Sequence, residues 1–187
     1  LGEDAAVRGS DVEVTASGTR FVLTVDGESR PVALSVLGAH HVMNALAAAA
    51  AATALGVAID DVVTRLESVE LAERWRMQPL GSDRVRIIND AYNASPDSMV
   101  AALRTLAQIT APDERMVAVL GAMSELGEYA GEEHDRSGEL AVRLRIPRIV
   151  IIGQAARRMY LAAVAEGSWS DEAVFFDDAD AAYAYLM

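Results

Sequence analysis

The sequence contains no cysteine and no lysine. The first absence excludes a disulfide framework, a thiolate metal site and a cysteine nucleophile, and it is compatible with a reducing cytoplasm. The second leaves all 16 basic side chains as arginine. A P-loop lysine, a Schiff-base lysine and a lysine general base are therefore excluded for these residues. Aromatic side chains make up 5% against a hydrophobic share of 52%, so the core has to be built from Ala, Val, Leu and Ile. Positive charge is scarce as well, with a net charge of −12 and a pI of about 4.6. Such a surface offers nothing to a nucleic-acid backbone or an anionic membrane. The most apolar run, ALAAAAAATALGVAI at 45–59, is short for a membrane span and mostly alanine, and it reads as a buried helix. No basic start followed by an apolar run opens the sequence, so no signal peptide is expected. Neither G-x-x-x-x-G-K-S/T nor G-x-G-x-x-G occurs.

What is present has a clear rhythm. At 187 residues the chain suits one large domain or two small ones. DVEVTA, TRFVLTVDG and RPVALSV, between 11 and 36, alternate as strands around the turn residues of ASGT and DGES, which predicts an antiparallel meander. A long helix follows between Gly38 and Gly56, and a shorter one with an acidic first turn covers AIDDVVTRLESVE. WRMQPL and RVRIIND read as two strands around GSD. From residue 85 onward, short apolar runs alternate with helices over 97–109, 131–145, 154–166 and from Asp178. This predicts an α/β fold: a mainly parallel, Rossmann-like sheet covered by helices, preceded by the small meander and its helices. The change of pattern puts a boundary near 72–76, giving units of 1–73 and 74–187.

Parallel sheets bind ligands beyond the carboxyl ends of their strands, and several loops at such positions are polar. NDAYNASPDS carries Asn89, Asp90, Tyr92, Asn93, Ser95, Asp97 and Ser98. Capping of the next helix accounts for Ser95, Pro96 and Asp97, but not for Asp90 or Asn93, and a carboxylate at a strand end can accept from ribose hydroxyls. At GAHHVMN a helix start brings His40, His41 and Asn44 beside free N–H groups. An anion or nucleobase edge fits there, and so does a histidine that merely caps the helix. A zinc reading is weak, because adjacent histidines should point apart and no third ligand is in view. Arg74 and Arg76 flank the boundary, where an arginine can clamp a phosphate or simply face solvent. GAMSELGEYAGEEH is long for a strand-to-helix loop, with Glu125 and His134 as candidates for ligand contact.

INDAYNASPDSM, AVLGAMSELGEYAGEEH and GAHHVMNALAAAAAA, in their order and spacing, resemble the Mur ligase family. The resemblance covers about residues 30–155 and falls nearest the branch that joins D-alanyl-D-alanine to UDP-N-acetylmuramoyl-tripeptide. It implies a cytoplasmic, ATP- and Mg2+-dependent amide-bond ligase of peptidoglycan precursor synthesis, working through an acyl phosphate. It further implies that His40, His41 and Asn44 approach adenine, that Arg76 reaches phosphate with Arg74 as its fallback, and that Asp90 meets the ribose. Arg76 and Asp90 would be catalytic, and Tyr92, Asn93, Ser95, Glu125, Leu126 and His134 would face the dipeptide. Two positions depart from the family pattern: His41 stands for the first Asn of the helix motif, and Ala122 for the Asp of G-D-M. The P-loop, the metal ligands and the UDP-binding domain are expected upstream of these residues, and the 187 residues alone are expected to be inactive. The alternatives are a stand-alone nucleotide-binding module on the same sheet, or an interaction domain without a ligand.

Overall fold

The computed structural model describes residues 5–70, 75–82, 84–167 and 172–187. They divide into two units, Leu1–Asp90 and Ala91–Met187.

In the first unit, β1 (Val7–Thr15), β2 (Gly18–Val25) and β3 (Glu28–Leu34) form an antiparallel sheet in that order. Asp26 and Gly27, at φ 47° and 90°, make the β2–β3 turn. Positive φ at both central residues is what a two-residue type I′ hairpin demands, and Asp-Gly supplies it cheaply. The expected strand at 11–16 begins earlier, at Val7, because a bulge between Ser10 and Glu13 interrupts the register. Asp11 takes φ 53° inside that bulge. A bulge breaks the period-2 pattern, so the strand is hidden from an alternation count.

Phe21, Leu23 and Val25 line one face of β2. Over them lies α1 (His40–Ala54), which buries Val42, Ala45, Leu46 and Ala49 at helical spacing. Val62 and Leu66 of α2 (Ile59–Glu67) complete this core. Helix α1 ends as a Schellman motif: Gly56 at φ 85° donates to the Thr53 carbonyl, and Val57 donates to that of Ala52. The unit closes with the hairpin of β4 (Gln78–Gly81) and β5 (Arg86–Asn89). The strand expected from Trp75 starts only at Gln78. Trp75 and Met77 stand at φ 68° and 46°, outside the extended backbone of a regular strand.

The second unit contains α3 (Pro96–Ile109), β6 (Ala118–Leu120), α4 (Ala130–Arg143), β7 (Ile149–Ile152), α5 (Arg157–Glu166), β8 (Ala173–Phe176) and α6 (Ala179–Leu186). The three strands are parallel in the order β6-β7-β8. Ile149, Val150 and Ile151 are wholly buried, as a central strand covered on both faces requires. Helices α4 and α5 approach so closely that a Cβ on Gly138 would lie 2.2 Å from the Met159 carbonyl oxygen. The rhythm expected from residue 85 is therefore present in part. Among the described residues β5 pairs with β4, not with the parallel sheet.

Candidate functional site

In the first unit the start of α1 is held by a residue that sequence reasoning missed. Thr19 is fully buried. Its hydroxyl donates to the Val36 carbonyl at 2.9 Å and accepts the Gly38 N–H at 3.0 Å. One side chain thereby satisfies both groups of the segment leading into the helix. The only signal was a hydroxyl beside Gly18 at the head of an apolar strand. His40 does not cap α1: the cap position is Ala39, which makes no side-chain capping bond. The His41 and Val42 N–H groups turn back to the Gly38 and Ala39 carbonyls at 3.1 Å, and the positive end of the helix dipole lies at this start. The His40 and His41 rings lie 4.1 Å apart, instead of pointing away from each other. Side chains in a first turn lean toward the helix start, and there the two rings meet. His40 on the first turn and Asn44 one turn further are exposed, and His41 is half-buried.

Asp90 follows β5 directly and is half-buried. Its Oδ1 accepts the backbone N–H of Met77 at 2.9 Å. Burial raises its carboxyl above the ordinary value, opposed by the Met77 bond and by the charges of His40 and Arg76. Burial lowers His40, opposed by Asp90. Burial also pushes His41 down to about 4, helped by repulsion from His40. The histidine pair, Arg76 and Asp90 thus share one electrostatic neighbourhood within this unit. Arg74 lies outside the described residues.

The second unit holds the other candidates. In the turn before α3, Ser95 accepts the Ser98 N–H at 3.3 Å, and the Ser98 hydroxyl accepts the Ser95 N–H at 2.9 Å. This is a reciprocal capping box with Pro96 at the helix start. Asn93 Oδ1 accepts from Ala94 N–H at 2.9 Å. Both side chains have local structural work, while Tyr92 is 52% exposed. In the loop after β6, Glu125 is exposed at φ 61° and Leu126 is half-buried. Met123 anchors that loop with 4% exposure, and His134 is buried at 3%. The His134 Nε2 accepts the Met123 N–H at 3.0 Å, and Nδ1 lies 2.6 Å from the Ala130 carbonyl oxygen. Both ring nitrogens are engaged within the protein.

Among the described residues no three acidic or histidine side chains gather as metal ligands. No helix among them is long and apolar enough to cross a membrane.

The helix-covered parallel sheet β6-β7-β8 is a Rossmann-like α/β arrangement. The chain belongs to the Mur ligase family: the model of the Mur ligase glutamate ligase domain matches residues 75–187, and that of the Mur ligase middle domain matches residues 1–52. It is 43% identical to the UDP-N-acetylmuramoyl-tripeptide–D-alanyl-D-alanine ligase of Mycobacterium tuberculosis, covering 89% of this chain and 36% of that protein. The crystal structure of MurF from Acinetobacter baumannii superposes with a TM-score of 0.86 at 32% identity, over 99% of this chain and 38% of that one. The fold also matches MurF ligase from Thermotoga maritima in complex with ADP, with a TM-score of 0.80 at 21% identity over 98% of this chain and 40% of that one. The chain therefore spans between a third and two-fifths of the length of these relatives.

Proposed function

We propose that these residues work within a longer, ATP-dependent ligase that joins D-alanyl-D-alanine to UDP-N-acetylmuramoyl-tripeptide in the cytoplasm. The observation that carries the nucleotide half is the shared electrostatic neighbourhood of Asp90, Arg76, His40 and His41. It offers an acceptor for ribose hydroxyls, a cation for phosphate and neutral imidazoles for a base. Asn44, one turn along α1, adds an amide to the same face. The similarity to D-alanyl-D-alanine ligases supports the choice of acceptor.

In this reading ATP phosphorylates the tripeptide carboxylate, and the dipeptide amine then attacks the acyl phosphate and expels phosphate. Arg76 neutralises phosphate charge and Asp90 orients the ribose, so their contribution is positioning and electrostatics. Tyr92, Asn93, Ser95, Glu125 and Leu126 belong to the two loops that receive the dipeptide. Ser95 and Asn93 do so while shaping their own turn. No step is assigned to magnesium. The 187 residues alone are inactive in this reading.

The test is phosphate release dependent on both tripeptide and dipeptide. The complete protein containing these residues turns over, and the 187-residue chain does not. Turnover by the short chain, or a complete protein indifferent to D-alanyl-D-alanine, contradicts the proposal.

A further inference from the structure

One imidazole ties together the two ends of the loop after β6. The loop leaves the strand through Met123, passes Glu125 and Leu126, and runs through a single 3-10 turn at Gly127–Tyr129 into α4 at Ala130. His134, on the first turns of α4, reaches both ends: Met123 N–H at 3.0 Å through Nε2, and the Ala130 carbonyl at 2.6 Å through Nδ1. An amide N–H can only donate and a carbonyl oxygen can only accept. Both bonds therefore exist together only in the neutral ring with its proton on Nδ1. The ring is 3% exposed, and neither nitrogen is left for a ligand.

The loop needs such a tie. Glu125 holds φ 61° without being glycine. A left-handed backbone in such a residue persists only where its surroundings enforce it. The Met123 bond fixes the chain two residues before Glu125, and the buried Met123 side chain anchors the same point.

We propose that His134 is a positioning residue, which holds the loop at 124–126 in its receiving geometry through this one tautomer and does not touch the acceptor. The inference rests on the ligase reading for the identity of the acceptor, but the tie itself does not.

The experiment has two arms. Nitrogen NMR of the complete protein, with the His134 ring and the Met123 amide assigned, should show a neutral His134 ring protonated on Nδ1 and a Met123 amide slow to exchange. A His134 ring protonated on Nε2, or a rapidly exchanging Met123 amide, overturns the tie without any activity measurement. In the complete protein, His134→Ala should raise KM for D-alanyl-D-alanine by about 10- to 100-fold, the scale set by leaving a buried amide unpaired. KM for ATP should stay within about twofold. His134→Gln offers one acceptor and one donor in place of the ring nitrogens and should recover most of the loss. If His134→Gln is as impaired as His134→Ala, or if kcat falls with KM unchanged, positioning is the wrong role. A wild-type protein that ignores the dipeptide sinks the ligase reading and the acceptor with it, while the NMR arm still decides the tie.

Discussion

The Asp90 carboxylate and the Met77 backbone N–H lie 2.9 Å apart, joining the end of β5 to the residue that precedes β4. Met77 is 4% exposed and stands at φ 46°. Asp90 thus closes a left-handed turn that would otherwise bury an unpaired donor, and in the proposed ligase it also meets ribose. Substitution separates the two duties. Asp90→Asn keeps an acceptor for Met77 and should leave stability nearly unchanged. Asp90→Ala strands the amide and should cost about 1–3 kcal/mol. Both should weaken nucleotide binding. Urea unfolding and ATP titration of the same variants check this, and equal stability losses for Ala and Asn would contradict the turn-closing role.

Stability should fall with acid through the histidine pair. His41 moves from an ordinary 6.5 to about 4, and His40 is also lowered. Between those values the unfolded chain binds more protons than the folded one. The contribution is therefore complete above about pH 6.5 and is lost as pH falls toward about 4. Asp90 has the opposite sign. Its raised value makes the folded chain the better proton binder just above the ordinary 3.8, so its contribution declines as pH rises through that window. His41→Asn should flatten most of the slope, leaving the His40 part. Urea midpoints at about pH 7 and about pH 4.5, compared between wild type and variant, measure it.

Thr19 allows a near-isosteric test of how the helix start is held. Thr19→Val keeps the volume and removes the hydroxyl, leaving the Val36 carbonyl and the Gly38 N–H without their buried partner. The loss should be about 2–4 kcal/mol, roughly twice the penalty for one unsatisfied group. Thr19→Ser keeps both bonds and should lose about 1 kcal/mol for its missing methyl. A valine variant as stable as wild type would show that the hydroxyl does not hold this segment.

These cases divide what the sequence discloses from what it withholds. Strands and helices with strong periodicity, such as β2, α1 and β7, are legible because one side of each is uniformly apolar. The capping box of α3 is legible from Ser95 and Pro96, since the pattern is local. β1 is only partly legible, because the Asp11 bulge breaks its alternation. The partner of β5 is not legible, because an apolar strand says little about which neighbour it pairs with. The same holds for Thr19 and Met123. Their partners lie 17 and 11 positions away, and no spacing rule joins a hydroxyl or an amide to a group that only the fold brings near. His134 is legible as a special residue, but the direction of its ring is not.

Glu125 carries the sharpest trade between stability and function. Its left-handed backbone costs on the order of 1 kcal/mol relative to glycine, and the exposed side chain recovers none of it in a hydrogen bond to the described residues. Glu125→Gly should therefore raise stability by up to about 1 kcal/mol in urea unfolding. If the carboxylate faces the ammonium of the incoming dipeptide, the same change should raise KM for D-alanyl-D-alanine about tenfold or more, the value of one charge-assisted hydrogen bond. Glu125→Gln keeps the strain and removes the charge, so it should reproduce the KM effect without the gain in stability. A glycine variant that is more stable and equally tight for the dipeptide would mean that the left-handed turn serves the loop alone, and that the acceptor is met by other residues of these two loops.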